Sequence, residues 1–514
     1  MNLRHWANWK PFGIDFQRLN NYLELTRALW EHRDDLPRAW RILNEGVCDG
    51  CALGTKGLQD WTLSGPHLCN IRLRLLRLNT MPLLEVSVLR DVGSLAQKSS
   101  ASLRELGRLP HPMLRKHGEV GFSRISWDDA LELVSAKIAL SNPERLGFYL
   151  TSRGMPNEGY HGAQKAVRAL GSANIDNAAR VCHAPSTVAL KATIGVAAST
   201  CSYADWIASD LIVFIGSNVA NNQPVATKYL HHAIQRGAKV VSVNTYIEPG
   251  MERYWIPSIP ESTVVGTRLT DRFYQINTSG DAAFLSGVLK HILHNGLEDS
   301  AFIAAHTSGL EGLRAGLEAT TWETLEAQSG NTRLEMQSLG QLLGEAKSAV
   351  LVWSMGATQH ATGEDNVRSI VNLALARGFV GREGCGLMPI RGHSGVQGGA
   401  EMGAYSTALP GGKTVNAQNA AILEVQYGFP IPSSAGLTAP QMLDAALEGT
   451  LDVLWSVGGN FLESCLTQLS HATPSSAYRS ESIKTSFSAR RCSFRASVTY
   501  YCCPRPRATK YRAA

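Results

Sequence analysis

An α/β protein of several domains, each built on a doubly wound and mainly parallel sheet, is what three features of this chain predict. Its 514 residues are 44% hydrophobic and 18% charged, a globular composition in a chain too long for one hydrophobic core. From residue 109 onward, short apolar runs of strand length alternate with helical stretches, as strand–crossover–strand units require. Three of those runs end in glycine-containing polar steps, Gly216-Ser217-Asn218, Ser354-Met355-Gly356 and Gly458-Gly459-Asn460. In such sheets ligands sit at the carboxyl ends of strands, so these steps are candidate binding loops.

The elements follow in order. Residues 1–45 carry helical periodicity with aromatic and basic residues mixed in (FQRLNNYLELTRALWEHRDDL) and form a helical lead-in. Residues 46–80 are a loop-dominated module rich in glycine and cysteine, followed by a spacer to about 108, which together make up the 46–108 cysteine module and spacer. A helix is expected near 127, with Ser126 as N-cap, Asp129 three residues on, and Ala130, Leu131, Leu133 and Val134 as its apolar positions. Then come RLGFYLT and a helix from about 157, AARV and a helix from about 185, DLIVFIGSN and a helix from about 224, KVVSVNT, SAVLVWSMG and LDVLWSVGGN. From about 465 the periodicity dissolves into a Ser/Arg/Cys/Tyr-rich string, expected to be disordered and reading like an out-of-frame terminus, with Cys492, Cys502 and Cys503 not acting as ligands.

Charge and cysteine usage exclude several classes. The net charge of +6 is concentrated in residues 471–514, which hold nine Lys/Arg against the single acid Glu481; the rest of the chain is nearly neutral and offers no basic groove for nucleic acid. Nowhere do eighteen uninterrupted apolar residues occur, and the opening MNLRHWANWKPFG lacks a signal peptide's apolar core, so the expectation is a cytoplasmic protein without a membrane span. In that compartment the ten cysteines read as ligands, catalytic groups or buried thiols rather than as a disulfide framework. A nicotinamide dehydrogenase lacks its fingerprint, since no G-x-G-x-x-G opens a helix with an acid about twenty residues on.

Three constellations carry chemistry. Cys48, Cys51 and Cys69 are spaced C-x2-C-x17-C with Asp49 and His67 beside them, which suits structural zinc with His67 as fourth ligand, or an iron-sulfur cluster with a noncysteine fourth ligand. In RVCHAPS, Cys182 ends a strand and precedes a helix beginning at Pro185; flanked by Arg180 and His183, it is either a reactive thiolate or a buried structural thiol. GCGLMPIRGHSGVQGGAEMGA (384–404) surrounds Arg391, His393 and Gln397 with glycine, as a loop that lets backbone approach a ligand while Arg391 grips an oxyanion, or as a flexible surface loop.

The stretches HPMLRKHGEVGFSRISWDDAL, NIDNAARVCHAPSTVAL, DLIVFIGSNVANNQP, GAKVVSVN, NTSGDAAFL, AVLVWSMGATQHATGEDNVRSI and PIRGHSGVQGGAEMGA, in this order, resemble the alpha subunit of molybdopterin-dependent formate dehydrogenases and the uncharacterised branch of the bis-molybdopterin guanine dinucleotide superfamily. The resemblance covers residues 109–464 and implies discontinuous α/β domains around a bis-pterin cofactor holding molybdenum or tungsten, with a small N-terminal iron-sulfur module. It implies that Cys182 ligates the metal, that His183 manages the substrate proton and that Arg391 orients a substrate carboxylate. It further implies that Ser152, Gly216, Ser217, Asn218, Asn221, Gln223, Asn244, Gly280, Asp281, Met355, Gly356, Gln359, Gly458, Gly459 and Asn460 hold the dinucleotides, and that Cys48, Cys51 and Cys69 hold a [4Fe-4S] cluster.

The activity so implied is two-electron oxidation of a small substrate, formate first, with the C–H hydrogen leaving toward the metal and electrons passing through the cluster to an acceptor protein. Two departures point to the uncharacterised branch. Gly54 and Thr55 stand where a further thiolate is expected, and Ile71, with Arg72 adjacent, replaces the usual lysine after the last cysteine. Family members continue beyond Glu463 through a dinucleotide-covering domain, so a frameshifted or truncated chain is expected here, with holoenzyme formation weakened or abolished. Alternatives are reduction of an oxyanion such as nitrate by the same site, and a noncatalytic zinc-binding relative.

Overall fold

The computed structural model describes residues 21–48, 50, 51, 53, 56–60, 62–458 and 498–501. The chain divides into two compact units, Met1–Leu76 with Cys182–Ser394, and Arg77–Val181 with Gly395–Ala514.

The first unit is organised by a five-stranded sheet in the order Gly386–Pro389, Ala349–Trp353, Leu211–Ile215, Lys239–Asn244, Arg272–Gln275, every neighbouring pair parallel. Strands of such sheets are covered on both faces and so read as continuous apolar runs. LIVFI at 211–215 and AVLVW at 349–353 are buried at every position. Their side chains alternate between two cores. Leu211, Val213, Ile215, Leu351 and Trp353 join the helices Ala184–Ile194, Asp281–His294, Arg333–Glu345 and Gly363–Ala376 in one core. Ile212, Phe214, Val350 and Val352 meet Trp206, Tyr229 and Leu230 from Tyr203–Ala208 and Thr227–Gln235 in the other, with Cys51, Leu53 and Cys69 packed there too.

The second unit holds a parallel sheet ordered Val453–Val457, Leu146–Leu150, Ile175–Asn177, with the helix Asn157–Ala169 as the crossover between the last two. The helix Trp127–Ala139 starts where Ser126 and Asp129 predict it, and the two close a reciprocal capping box in which the Asp129 amide donates to Ser126 Oγ at 3.0 Å.

Several expectations need correction. The segment following the cysteines is more helical than a loop-dominated reading allows: Asn70–Thr80 is a helix, and short helical turns cover Val86–Arg90, Val92–Leu95 and Ser100–Arg104. Cys182 does not end a strand. The strand stops at Asn177, a 3-10 turn spans Ala178–Val181, and the next helix starts at Ala184, because Asn177 Oδ1 turns back to accept the Ala179 amide and ends the ladder. Of the tail only Val498–Tyr501 is described, pairing antiparallel with Met113–Lys116; Cys492, Cys502 and Cys503 lie outside the described residues. Among the described residues no helix is long and apolar enough to cross a membrane.

Candidate active site

From Leu211–Ile215 the chain adds Lys239–Asn244 and Arg272–Gln275 on one side, then returns to lay Ala349–Trp353 and Gly386–Pro389 on the other. The strand order therefore reverses between Leu211–Ile215 and Ala349–Trp353. Loops leaving that point must diverge, which opens the crevice where sheets of this kind bind ligands. Both loops were marked in the sequence, and the structure brings them into contact. Gly216 takes a left-handed φ of 54°, and its carbonyl accepts the Gly356 amide at 3.1 Å. Ser217 Oγ and Ser354 Oγ are 2.7 Å apart.

The remaining loop residues surround this point. Asn218 Oδ1 accepts the Asn221 amide at 3.2 Å, Gln223 is buried, and Asn244 closes the next strand with its Oδ1 accepting the Thr245 amide at 2.8 Å. Beyond Arg272–Gln275 the chain turns through Ser279 and Gly280 into the helix Asp281–His294.

Asp281 opens that helix almost fully buried, and burial pushes its carboxyl up to about 6, with His360 opposing. A carboxyl raised above its ordinary 3.8 favours the fold while protonated, so this contribution is complete below about pH 4 and is lost as pH rises through 6. The ligand-free chain should therefore lose stability between pH 4 and 7 through this group, on the order of 3 kcal/mol at most. Asp281→Asn should flatten that part of the curve. Urea unfolding at pH 4 and 7 checks it; an unchanged pH dependence in the variant would remove Asp281 as its source.

Cys182, His183 and Arg391 converge on the same end of the sheet. His183 caps the helix Ala184–Ile194, with Pro185 in the first turn. Its Nδ1 lies 3.3 Å from Ser186 Oγ, which accepts the Trp353 indole N–H at 2.9 Å, so the ring is tied to the central strand. Nε2 is buried without a hydrogen-bond partner. Burial, reinforced by the Arg391 charge and opposed by Ile390, brings His183 down to about 3, so the imidazole is neutral.

The helix start was expected to hold Cys182 as thiolate with help from Arg180. Burial instead pushes the thiol up, partly offset by the Arg391 guanidinium and the Gly392 amide. Arg180 is engaged elsewhere, donating to Asp176 at 2.9 Å and stacking on Tyr405 at 3.7 Å. Cys182 Sγ lies 3.5 Å from Met355 Sδ, Gln359 Nε2 donates to the Cys182 carbonyl at 2.7 Å, and Arg391 donates to the Ala197 carbonyl at 2.9 Å.

Ser152 and Gly458 belong to the second unit, each just past the carboxyl end of a strand. Ser152 is fully buried with Oγ 3.4 Å from Asn177 Oδ1, and the Thr151 amide donates to the Val457 carbonyl at 2.8 Å beside Gly458. Gly459 and Asn460 lie outside the described residues, as do Asp49, Gly54 and Thr55.

In the cysteine module Cys48 and Cys69 act on each other, and Arg72 lies near both. Burial pushes Cys69 up, while backbone amides of Arg72, Ile71 and Val225 oppose. Arg72 also donates to the carbonyls of Leu43, Gly46 and Gly57, stapling the helix Leu36–Glu45 to the turn. Cys51 faces Tyr203. His67 packs edge-on against Tyr229, and the charges acting on it are Lys228, Asp60 and His232; burial and Lys228 bring it down to about 4. Among the described residues no three His, Cys, Asp or Glu side chains converge as a metal-holding set.

At the reversal point a neutral histidine with a buried nitrogen lacking a partner stands beside a thiol and a guanidinium, and a buried carboxyl stands at a helix start, a donor set that suits a polar, anionic cofactor. Sequence reasoning missed Glu248, which hydrogen-bonds Asn218, and the pair Ser279–His360. Their partners lie 30 and 81 residues away, so only the order of the strands could have suggested them.

The family model for molybdopterin oxidoreductase matches residues 108–464. Protein YdeP of Shigella flexneri is 32% identical over 72% of this chain and 49% of its own length. The F420-dependent formate dehydrogenase 1 subunit alpha of Methanococcus maripaludis is 30% identical over 66% of this chain and 48% of its own. The chain thus spans about half the length of these curated relatives. Acetylene hydratase from Pelobacter acetylenicus shares the fold, with a TM-score of 0.55 and 18% identity, over 81% of this chain and 55% of that structure.

Proposed function

The chain belongs to the molybdopterin oxidoreductase family, and on that premise we propose that it binds a bis-molybdopterin guanine dinucleotide and oxidises a small substrate by two electrons, formate first. The observation that carries this reading is the convergence of Cys182, His183 and Arg391 on the carboxyl end of a sheet whose reversal point is lined by Gly216–Asn218 and Ser354–Gly356. Strand-end amides and small polar side chains suit pyrophosphate and guanine edges, and the buried Asp281 carboxyl offers an acceptor for a nucleobase N–H.

When bound, the pterin-held molybdenum or tungsten would supply the two-electron chemistry, and Cys182 would be the protein residue holding it. Arg391 pairs with a substrate carboxylate through a rigid fork of donors. His183, held neutral and oriented by Ser186, can accept a proton at Nε2. Gly216 and Gly356 let the two loops approach while their neighbours face the ligand.

Cys48, Cys51 and Cys69 remain the candidate [4Fe-4S] ligands, with an acceptor protein beyond them. Nitrate-type oxyanion reduction would use the same Arg391. The zinc reading is not favoured, since the groups acting on His67 are Lys228, Asp60 and His232.

The test is elemental and pterin analysis of the anaerobically purified chain, followed by formate oxidation and nitrate reduction with a viologen dye. Pterin with molybdenum or tungsten is the expected result, and about four irons would support the cluster. Zinc alone, without pterin, would replace the enzyme by a zinc-binding protein.

A further inference from the structure

Outside the residues already assigned, one side chain joins two of the candidate cofactor loops. His360 Nε2 lies 2.7 Å from the Gly356 carbonyl oxygen, and its Nδ1 lies 2.7 Å from Ser279 Oγ. A carbonyl can only accept, so Nε2 carries a proton, and in the neutral ring Nδ1 accepts the Ser279 hydroxyl.

Ser279 is, among the described residues, the one non-glycine with a positive φ, 65°. Glycine would adopt that backbone freely, whereas a side chain there must be held by its surroundings. The hydroxyl is what His360 grips. Two residues on, Asp281 senses the same imidazole. On the other side Gly356 donates to Gly216, and Gln359, next to His360, donates to the Cys182 carbonyl. The imidazole thus spans the 279–281 turn and the 355–360 loop, and through Gln359 that loop reaches the backbone of the candidate metal ligand.

We propose that His360 is a positioning residue that locks the 355–360 loop to the 279–281 turn, so that Asp281, Gly356 and the Cys182 backbone keep one spacing for the dinucleotide; this rests on the cofactor reading above. A structural tie needed only for folding would lower stability in every state. A positioning tie acts on retention of the cofactor and is restored by a side chain that can both donate and accept.

The test uses the full chain as parent, His360→Ala, His360→Gln and Ser279→Gly, each purified anaerobically. Pterin content is read by fluorescence after oxidation, and backbone hydrogen exchange is followed for segments 277–283 and 354–361. In His360→Ala both segments should exchange faster and pterin content should fall at least fivefold, with the unfolding temperature within a few degrees of the parent. His360→Gln, whose amide can donate to Gly356 and accept from Ser279, should recover at least half of the loss. Ser279→Gly, although its backbone is relieved, should lose pterin as His360→Ala does.

Unchanged exchange in either segment, or parental pterin content in His360→Ala, overturns the proposal. So does a loss that Gln cannot rescue and that accompanies a large fall in unfolding temperature. A parent without pterin whose two segments still loosen together in His360→Ala overturns the cofactor reading and leaves the tie standing.

Discussion

Cys182→Ala is expected to abolish turnover, by 10³-fold or more on the order of 4 kcal/mol in the barrier, while the chain remains folded. The thiol is in contact with Met355, accepts the Gly392 amide and lies under the Arg391 charge. It holds no core position comparable to Trp353 or Phe214, which are fully buried. Losing it should cost roughly 1 kcal/mol of stability, typical of a single substitution. Dye-linked turnover of the substrate the parent converts, measured beside thermal unfolding, separates the two effects. A variant that keeps its rate would strip Cys182 of the metal-ligand role, and one that unfolds would show the thiol to be structural.

Gly216→Ala should be the most damaging small change at the reversal point. A Cβ built there would lie 2.3 Å from the Ala357 nitrogen and 2.6 Å from the Gly356 carbonyl carbon, backbone atoms that no rotamer change can move. Left-handed strain adds about 1 kcal/mol. Together a loss of roughly 3 kcal/mol or more in unfolding free energy is expected, with the pterin content falling in parallel. Gly195→Ala is the control: its φ is 81°, but nothing lies within 4 Å of the added carbon, so only the backbone term applies. Denaturant unfolding of both variants decides it. Equal losses would mean that the close approach of the two loops contributes nothing.

The sheet strands were legible because burial on both faces leaves an unbroken apolar signature, as at Leu211–Ile215 and Ala349–Trp353. The helix at Trp127 was legible because a cap is a local event confined to Ser126 and Asp129. Cys182, His183 and Arg391 stood out by residue type and by resemblance, and the structure brings them together. What sequence could not carry was the electrostatic outcome. Arg180 is adjacent in sequence to the Cys182 segment yet serves Asp176, while Arg391, 209 positions away, acts on the thiol. The helical character of Asn70–Thr80 was masked by the glycine- and cysteine-rich text before it. His360 gave no signal because its role depends on Ser279, which only the turn after Arg272–Gln275 brings near.

The segmented make-up of the two units sets an order of events on the ribosome. The sheet of the second unit is started first, at Leu146–Leu150, yet it lacks an edge until Val453–Val457 has been made. The first unit, although interrupted by the 105 residues of 77–181, has all five strands in hand once Pro389 emerges. The unit that carries Cys182 and Arg391 is therefore free to close while its companion is still an incomplete sheet on a nascent chain. Synthesis paused between residues 394 and 453 would leave one mature half and one exposed apolar edge, a species for which chaperones would compete.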